Sequence, residues 1–147
     1  MSDGIVACAG CGRRNRVPIV ATGVPRCAEC HQPLPWLVDA DEATFAAATD
    51  SKVPVLVDLW APWCGPCRMV GPAVEGATRR FAGRLKTVKV NVDEAPAVSA
   101  RYGVQGIPTL LVLDHGREVA RQVGALPAAA LEQWVEAHVA PAAAASR

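Results

Sequence analysis

All six cysteines fall in three pairs with two residues between partners: Cys8 and Cys11, Cys27 and Cys30, Cys64 and Cys67. Secreted disulfide scaffolds use varied spacings, so this uniform pattern points to a reducing compartment and to metal ligation or redox catalysis. The first two pairs are separated by 15 residues, which fits the C-x2-C-x15–20-C-x2-C pattern of a zinc site. Four thiolates on two knuckles suit one closed, structural Zn²⁺; zinc thiolates are also oxidisable, so the site is either an inert clip or redox-sensitive. Gly12 follows the first pair and can take the positive φ that a knuckle turn needs. The Zn²⁺ and four thiolates carry two negative charges, and Arg13, Arg14, Arg16 and Arg26 against two acids in the same segment offset them.

Two rival chemistries compete for this segment. Cys27 through His31 spells the CxxCH of haem attachment, but that attachment needs export and leaves Cys8 and Cys11 unused. A basic ribbon for nucleic acid is the second, and no aromatic residue interleaves with its arginines to stack on bases. His31, His115 and His138 read as solvated or cap residues.

The third pair has a different setting. Val53 to Trp60 is an almost continuous apolar and β-branched run, as expected of a strand buried on both faces. Apolar residues at helical spacing follow from Gly65 to Ala82, with Pro72 expected to kink that helix. Cys64 therefore stands at a helix N-terminus, where unpaired N–H groups and the helix dipole stabilise a thiolate. A thiolate attacks disulfides, and Cys67 is placed to resolve the product. Pro66 occupies the first turn, where its missing N–H costs nothing. A metal reading lacks two further ligands nearby.

The elements around this pair alternate. A short strand is expected at Trp36–Val38. A capping box at Asp39–Glu42 should open a helix running to about Thr49. Beyond the long helix come a strand at Thr87–Val92 and a helix at Ala95–Tyr102 closed by Gly103. A hairpin of Thr109–Leu113 and Glu118–Val123 follows, then a helix at Pro127–Ala140. The fold class is α/β, a sheet flanked by helices with an antiparallel hairpin at one end. Residues 1–35 are too few for an apolar core and need a metal or a partner surface. Gln32 to Pro35, with two prolines, reads as the linker, so residues 1–35 form a zinc ribbon with linker and 36–147 the second domain. The tail from Pro141 reads as frayed.

VDLWAPWCGPC at Val57–Cys67, VNVD at Val90–Asp93, GIPTL at Gly106–Leu110 and VGAL at Val123–Leu126 together resemble thioredoxin across residues 36–140. With the N-terminal ribbon, the chain resembles the thioredoxin 2 family. The resemblance implies a thioredoxin fold, a central mixed sheet flanked by helices, preceded by the small ribbon. It makes Cys64 the exposed nucleophile and Cys67 the buried resolving thiol. Asp58 matches the family's buried aspartate. A carboxylate inside an apolar strand is already unusual, and burial should raise its pKa and make it a proton acceptor for Cys67. Lys89 matches a lysine near that aspartate, and Pro108 matches a proline that is cis in the family. Trp60, Trp63, Gly65, Pro66, Ile107, Gly124 and Ala125 would form the substrate surface. Leu59 and Pro62 depart from the family pattern, in place of an aromatic residue and an acid.

By the same resemblance, the activity is protein-disulfide reduction. The redox-active disulfide would be regenerated by an NADPH-dependent thioredoxin reductase. Clients would include ribonucleotide reductase, peroxiredoxins and methionine sulfoxide reductases. No flavin or nicotinamide motif occurs in the chain. The Gly-Pro dipeptide argues against an oxidase or isomerase. A zinc-dependent binding module or holdase without turnover is the alternative from another class.

The 147 residues are 51% hydrophobic and 20% charged with a net charge of +1. That is enough apolar content for a core, and too little charge for nucleic acid or a membrane surface to be the main partner. With no apolar run near membrane-helix length and no basic, apolar leader, the expectation is a cytoplasmic monomer.

Overall fold

A computed structural model describes residues 4–140; the expected frayed tail lies outside them. The N-terminal segment folds into an antiparallel hairpin of β1 (Gly4–Ala7) and β2 (Arg14–Val17). Then come β3 (Trp36–Ala40), α1 (Phe45–Thr49), β4 (Val55–Trp60), α2 (Gly65–Arg80), β5 (Lys86–Asn91), α3 (Pro96–Arg101), β6 (Thr109–Asp114), β7 (Arg117–Val123) and α4 (Ala128–Glu136). The main sheet has the order β3-β5-β4-β6-β7. β5 pairs in parallel with β3 and β4, whereas β6 pairs antiparallel with β4 and β7. The sheet is therefore mixed, as expected.

Strand alternation sorts the core into two layers. Val55, Val57 and Leu59 of β4 join Val38, Phe45, Val88, Val90 and Leu111 on one face. Leu56 joins Val70, Val74, Phe81, Leu110, Leu131 and Val135 of α2, β6 and α4 on the other. α2 runs unbroken through Pro72. The β6–β7 turn places both His115 (φ 52) and Gly116 (φ 83) in the left-handed region, the requirement of a tight two-residue hairpin.

Two helix boundaries differ from expectation. β3 extends through Ala40, so Asp39 belongs to a strand and the capping box does not form there. Asp41 and Thr44 close the turn instead: the Thr44 N–H donates to Asp41 Oδ1 at 3.0 Å and the Asp41 N–H to Thr44 Oγ1 at 3.0 Å. Glu42 reaches across to the start of α3, accepting from the Ala97 N–H at 2.7 Å. α4 stops at Glu136 rather than Ala140, because His138 and Val139 donate three residues back, to Val135 and Glu136, which tightens the last turn.

The segment read as a linker is packed. Leu34 and Pro35 are buried, and the Leu34 N–H donates to the Pro25 carbonyl at 2.9 Å. Cys8, Val17, Cys27 and Leu34 share one apolar cluster with Trp36, Val38 and Phe45. The Trp36 Nε1–H donates to the Pro18 carbonyl at 2.8 Å. Lys86, also buried, donates its Nζ to the Ile19 carbonyl and lies 4.2 Å over the Trp36 ring. The short N-terminal segment thus borrows the core of the main sheet. Leu34→Ala should lower the unfolding free energy by roughly 2–4 kcal/mol, a core cavity rather than a surface change, as read by urea denaturation of the full chain. A change within 0.5 kcal/mol of zero, typical of surface sites, would mark residues 32–35 as a loose tether.

Candidate functional site

The chain leaves β4 at Trp60 and enters α2 at Gly65, and the intervening turn carries Cys64. Cys64 is the N-cap of α2, with extended backbone (φ −90, ψ 111), and its Sγ accepts the Cys67 N–H at 3.2 Å. A sulfur here takes the place of the usual capping oxygen, so an orphan helix donor is spent on stabilising negative charge at Cys64. Pro66 lies in the first turn as expected. Cys64 and Cys67 are joined as a disulfide with Cα atoms 5.3 Å apart. In this oxidised form the two are almost equally covered, 4% and 6% exposed. Cys64 is therefore not the more exposed of the two, contrary to expectation; the two sulfurs differ in that Cys64 accepts a helix N–H.

The Ile107–Pro108 peptide is cis, and the Ile107 carbonyl lies 3.8 Å from Cys64 Sγ. The Gly124 N–H donates to the Pro108 carbonyl at 2.8 Å, with Gly124 at φ 94. Gly65, Pro66 and Ala125 are exposed, and Trp60, Ile107 and Gly124 are half-buried. Trp63 is 68% exposed, and its Nε1–H donates to the Asp93 carboxylate at 3.0 Å. Asp93 lies in the VNVD motif, but its side-chain bond to Trp63 joins positions 30 residues apart, which spacing alone does not reveal. No local pattern marks Arg68 either. Its guanidinium donates to the Pro62 carbonyl at 2.9 Å and braces the turn. Leu59 is buried in the apolar cluster, which accommodates that departure from the family pattern.

Behind the pair, Asp58, Trp60, Cys67 and Lys89 line one cleft of about 300 Å³. Asp58 is buried, and its Oδ1 has no hydrogen-bond partner. Burial pushes its carboxyl up from 3.8 to about 6, against the pull of the Lys89 ammonium. Lys89 Nζ lies 5.3 Å over the Trp60 ring. A carboxyl titrating near neutrality beside Cys67 can take up and return a thiol proton.

The four N-terminal cysteines converge separately. Their sulfurs all lie within 4.8 Å of one another, with Cys8 to Cys30 at 3.5 Å and Cys11 to Cys27 at 3.6 Å. The two knuckles are alike. The Gly12 N–H bonds the Cys8 carbonyl and the His31 N–H the Cys27 carbonyl, each at 2.9 Å. Gly12 has φ 79 and His31 φ 65. His31 thus does for the second knuckle what Gly12 does for the first. Gly10 and Glu29 N–H groups each point at a sulfur, Cys8 and Cys27, at 3.4 Å. The Cys30 and Glu29 N–H groups draw the Cys27 thiol down to about 6. Clustered sulfurs with inward N–H donors fit the donor set of a tetrahedral dication.

A mixed sheet whose central strand delivers a CxxC pair to a helix N-terminus defines a thiol–disulfide oxidoreductase. The thioredoxin family model matches residues 36–137, and the chain belongs to the thioredoxin family. It is 39% identical over 136 residues to thioredoxin C-3 of Corynebacterium nephridii, covering 90% of this chain and 93% of that one. It is 52% identical over 90 residues to thioredoxin 1 of a Nostoc species, covering 61% and 84%. Among solved structures, a mutant thioredoxin from Halobacterium salinarum superposes with a TM-score of 0.67 at 30% identity, covering 73% and 94%. Among the described residues no helix is long and apolar enough to cross a membrane.

Because folded Asp58 holds its proton more tightly than the unfolded chain does, stability falls as pH rises from 3.8 to about 6 and the penalty is complete above that. Asp58→Asn should therefore raise the unfolding free energy of the oxidised protein by roughly 2–3 kcal/mol at pH 7 and by little at pH 4, measured by urea denaturation at both values. It should also slow disulfide turnover near neutral pH. Equal effects at the two pH values would sink the buried-carboxyl account.

Proposed function

We propose that the protein is a cytoplasmic protein-disulfide reductase with an N-terminal zinc ribbon, of the thioredoxin 2 kind. The observation that carries the redox half is the Cys64–Cys67 pair at the start of α2, with Asp58 behind it and the Ile107 carbonyl beside it. The Cys64 thiolate attacks one sulfur of a client disulfide, and the other client sulfur departs and takes a proton. Cys67 gives its proton to Asp58 and attacks Cys64 Sγ. The second client thiol leaves, and the disulfide now rests on this chain. Two electrons have passed to the client. A thioredoxin reductase returns them, and its flavin and nicotinamide remain on that partner. The extended segment of a client lies along Ile107, Pro108 and Gly124, flanked by Trp60 and Trp63. Ribonucleotide reductase, peroxiredoxins and methionine sulfoxide reductases are the proposed clients.

Cys8, Cys11, Cys27 and Cys30 hold one Zn²⁺, which supplies a structural crosslink. Their convergence supports this, as does the match to thioredoxin C-3, which covers 90% of the chain, more than residues 36–147 hold.

Cys64→Ser should abolish insulin reduction with the fold intact, whereas Cys67→Ser should accumulate covalent mixed disulfides with clients. Equal trapping by both variants would reverse the two roles; full activity of Cys64→Ser would end the redox reading of this pair, and no insulin reduction by the unsubstituted chain would leave the holdase reading in place. The purified chain should carry one zinc, retained in the Cys64→Ser/Cys67→Ser double variant. A chelator should free four alkylatable thiols and raise amide exchange in residues 4–35 while β4 stays protected. Absence of zinc from protein purified under reducing conditions would remove the ribbon proposal.

A further inference from the structure

Two clefts open along one face of α2. The cleft at the redox pair reaches Gly71 and Glu75, and a second, of about 240 Å³, runs from Glu75 to Arg79 beneath Ile5, Ala7 and Leu37. Glu75 lines both, and Gly71, Glu75 and Arg79 follow at intervals of four on a single helical stripe. The two clefts share Glu75 and lie in succession along this stripe, one at Cys67 and the other at the N-terminal hairpin. The client cysteine is joined to Cys64, fifteen positions before Arg79, which is about 22 Å of helical rise, or roughly six to seven residues of extended chain.

The far stretch has a definite chemistry. Ile5 pairs with Arg16 and Ala7 with Arg14 across the hairpin, and directly opposed residues share a face. All four are exposed, Ile5 at 53%. Arg14, Arg16 and Arg79 make no ion pair among the described residues, in contrast to Arg13, Arg80 and Arg121. Arg79 lines this cleft and Arg14 and Arg16 flank it on the hairpin, three guanidinium groups against the one carboxylate of Glu75, and around exposed aliphatic side chains that excess of positive charge complements carboxylates alternating with aliphatic residues. It repels a basic segment, and no aromatic residue lines this stretch to stack on bases.

We propose that these clefts dock an acidic, apolar client segment lying roughly six to seven residues from the client's reactive cysteine. The proposal rests on the reductase reading and adds a client class to it. The hairpin then contributes selectivity at a distance from the chemistry, through KM rather than through the disulfide exchange itself.

The test uses the full, reduced chain and peptides bearing one cysteine as a mixed disulfide with 5-thio-2-nitrobenzoate. One peptide has no extension, one has a Leu-Glu-Leu-Glu extension six residues away on either side, and one has the Leu-Lys-Leu-Lys counterpart. Binding of a labelled, cysteine-free acidic peptide is followed separately by anisotropy. The acidic peptide should show kcat/KM about tenfold above the unextended one, through KM, as two or three exposed charge pairs can supply, and salt should erode the gain. Arg14→Ser/Arg16→Ser/Arg79→Ser should erase the gain and the anisotropy signal while the unextended peptide reacts as before. Arg79→Glu should shift preference toward the lysine peptide, an outcome that misfolding does not produce. Equal kcat/KM for the three peptides overturns the proposal, as does a gain that survives the triple substitution. Displacement of the acidic peptide by a single-stranded oligonucleotide at lower concentration than by the unlabelled peptide itself overturns it too. Acidic-peptide binding without reduction of any peptide sinks the reductase reading and leaves the docking surface standing.

Discussion

β4 is hydrogen-bonded to β5 on one side and β6 on the other, and apolar layers cover both of its faces. Its backbone has no freedom until it emerges at Trp60, and the rest of the site is referred to that point. Helix α2 starts five residues later, so its N-terminal donors fall on Cys64. The same burial that fixes the strand desolvates Asp58, two residues before its end, and raises the carboxyl toward neutral pH. Two opposite tunings, a thiolate favoured at the helix start and a carboxylate disfavoured in the strand, come from one rigid segment and the helix it feeds. The β6 neighbour adds the Ile107–Pro108 corner from its own entry.

The N-terminal segment is joined to this framework by polar contacts as well as apolar ones. Lys86, the first residue of β5, is buried beneath Trp36, and burial pushes its amine down to about 8. A buried amine needs an acceptor, and the Ile19 carbonyl supplies one. Trp36 satisfies its own indole on Pro18. The hairpin segment thus meets hydrogen-bonding requirements of the sheet while the sheet covers Val17, Cys8 and Cys27. Cys8 and Cys27 share one apolar cluster with the main core, with Cys30 packed against it, although the redox pair belongs to another.

Much of this was legible in the residues. Strand β4 announced itself by an unbroken apolar run, and the cysteine spacings separated the Cys64–Cys67 pair from the four cysteines whose sulfurs cluster. Asp58 was conspicuous because a carboxylate breaks that run. Contacts between distant positions were not legible. Asp93 holds Trp63 across 30 residues, and Lys86 reaches Ile19 across 67; neither has a local pattern. Local patterns also misled where tertiary pairing overrode them. Asp39 was assigned to a helix cap, but β5 pairs with it at Lys89 and draws it into β3. The prolines around Leu34 suggested a tether, yet proline excludes regular structure without excluding burial.

β3 is the outermost strand on its side of the sheet, with β5 as its one strand partner there. The hairpin lies against it so closely that a side chain at Gly4 would meet the Leu37 carbonyl oxygen at 2.5 Å. Strand edges left open recruit other chains through their free N–H and C=O groups. The cysteine-bearing hairpin therefore doubles as a steric guard on that edge. A shortened chain beginning at Trp36 would keep Cys64 and Cys67 but lose the hairpin that lies against this edge.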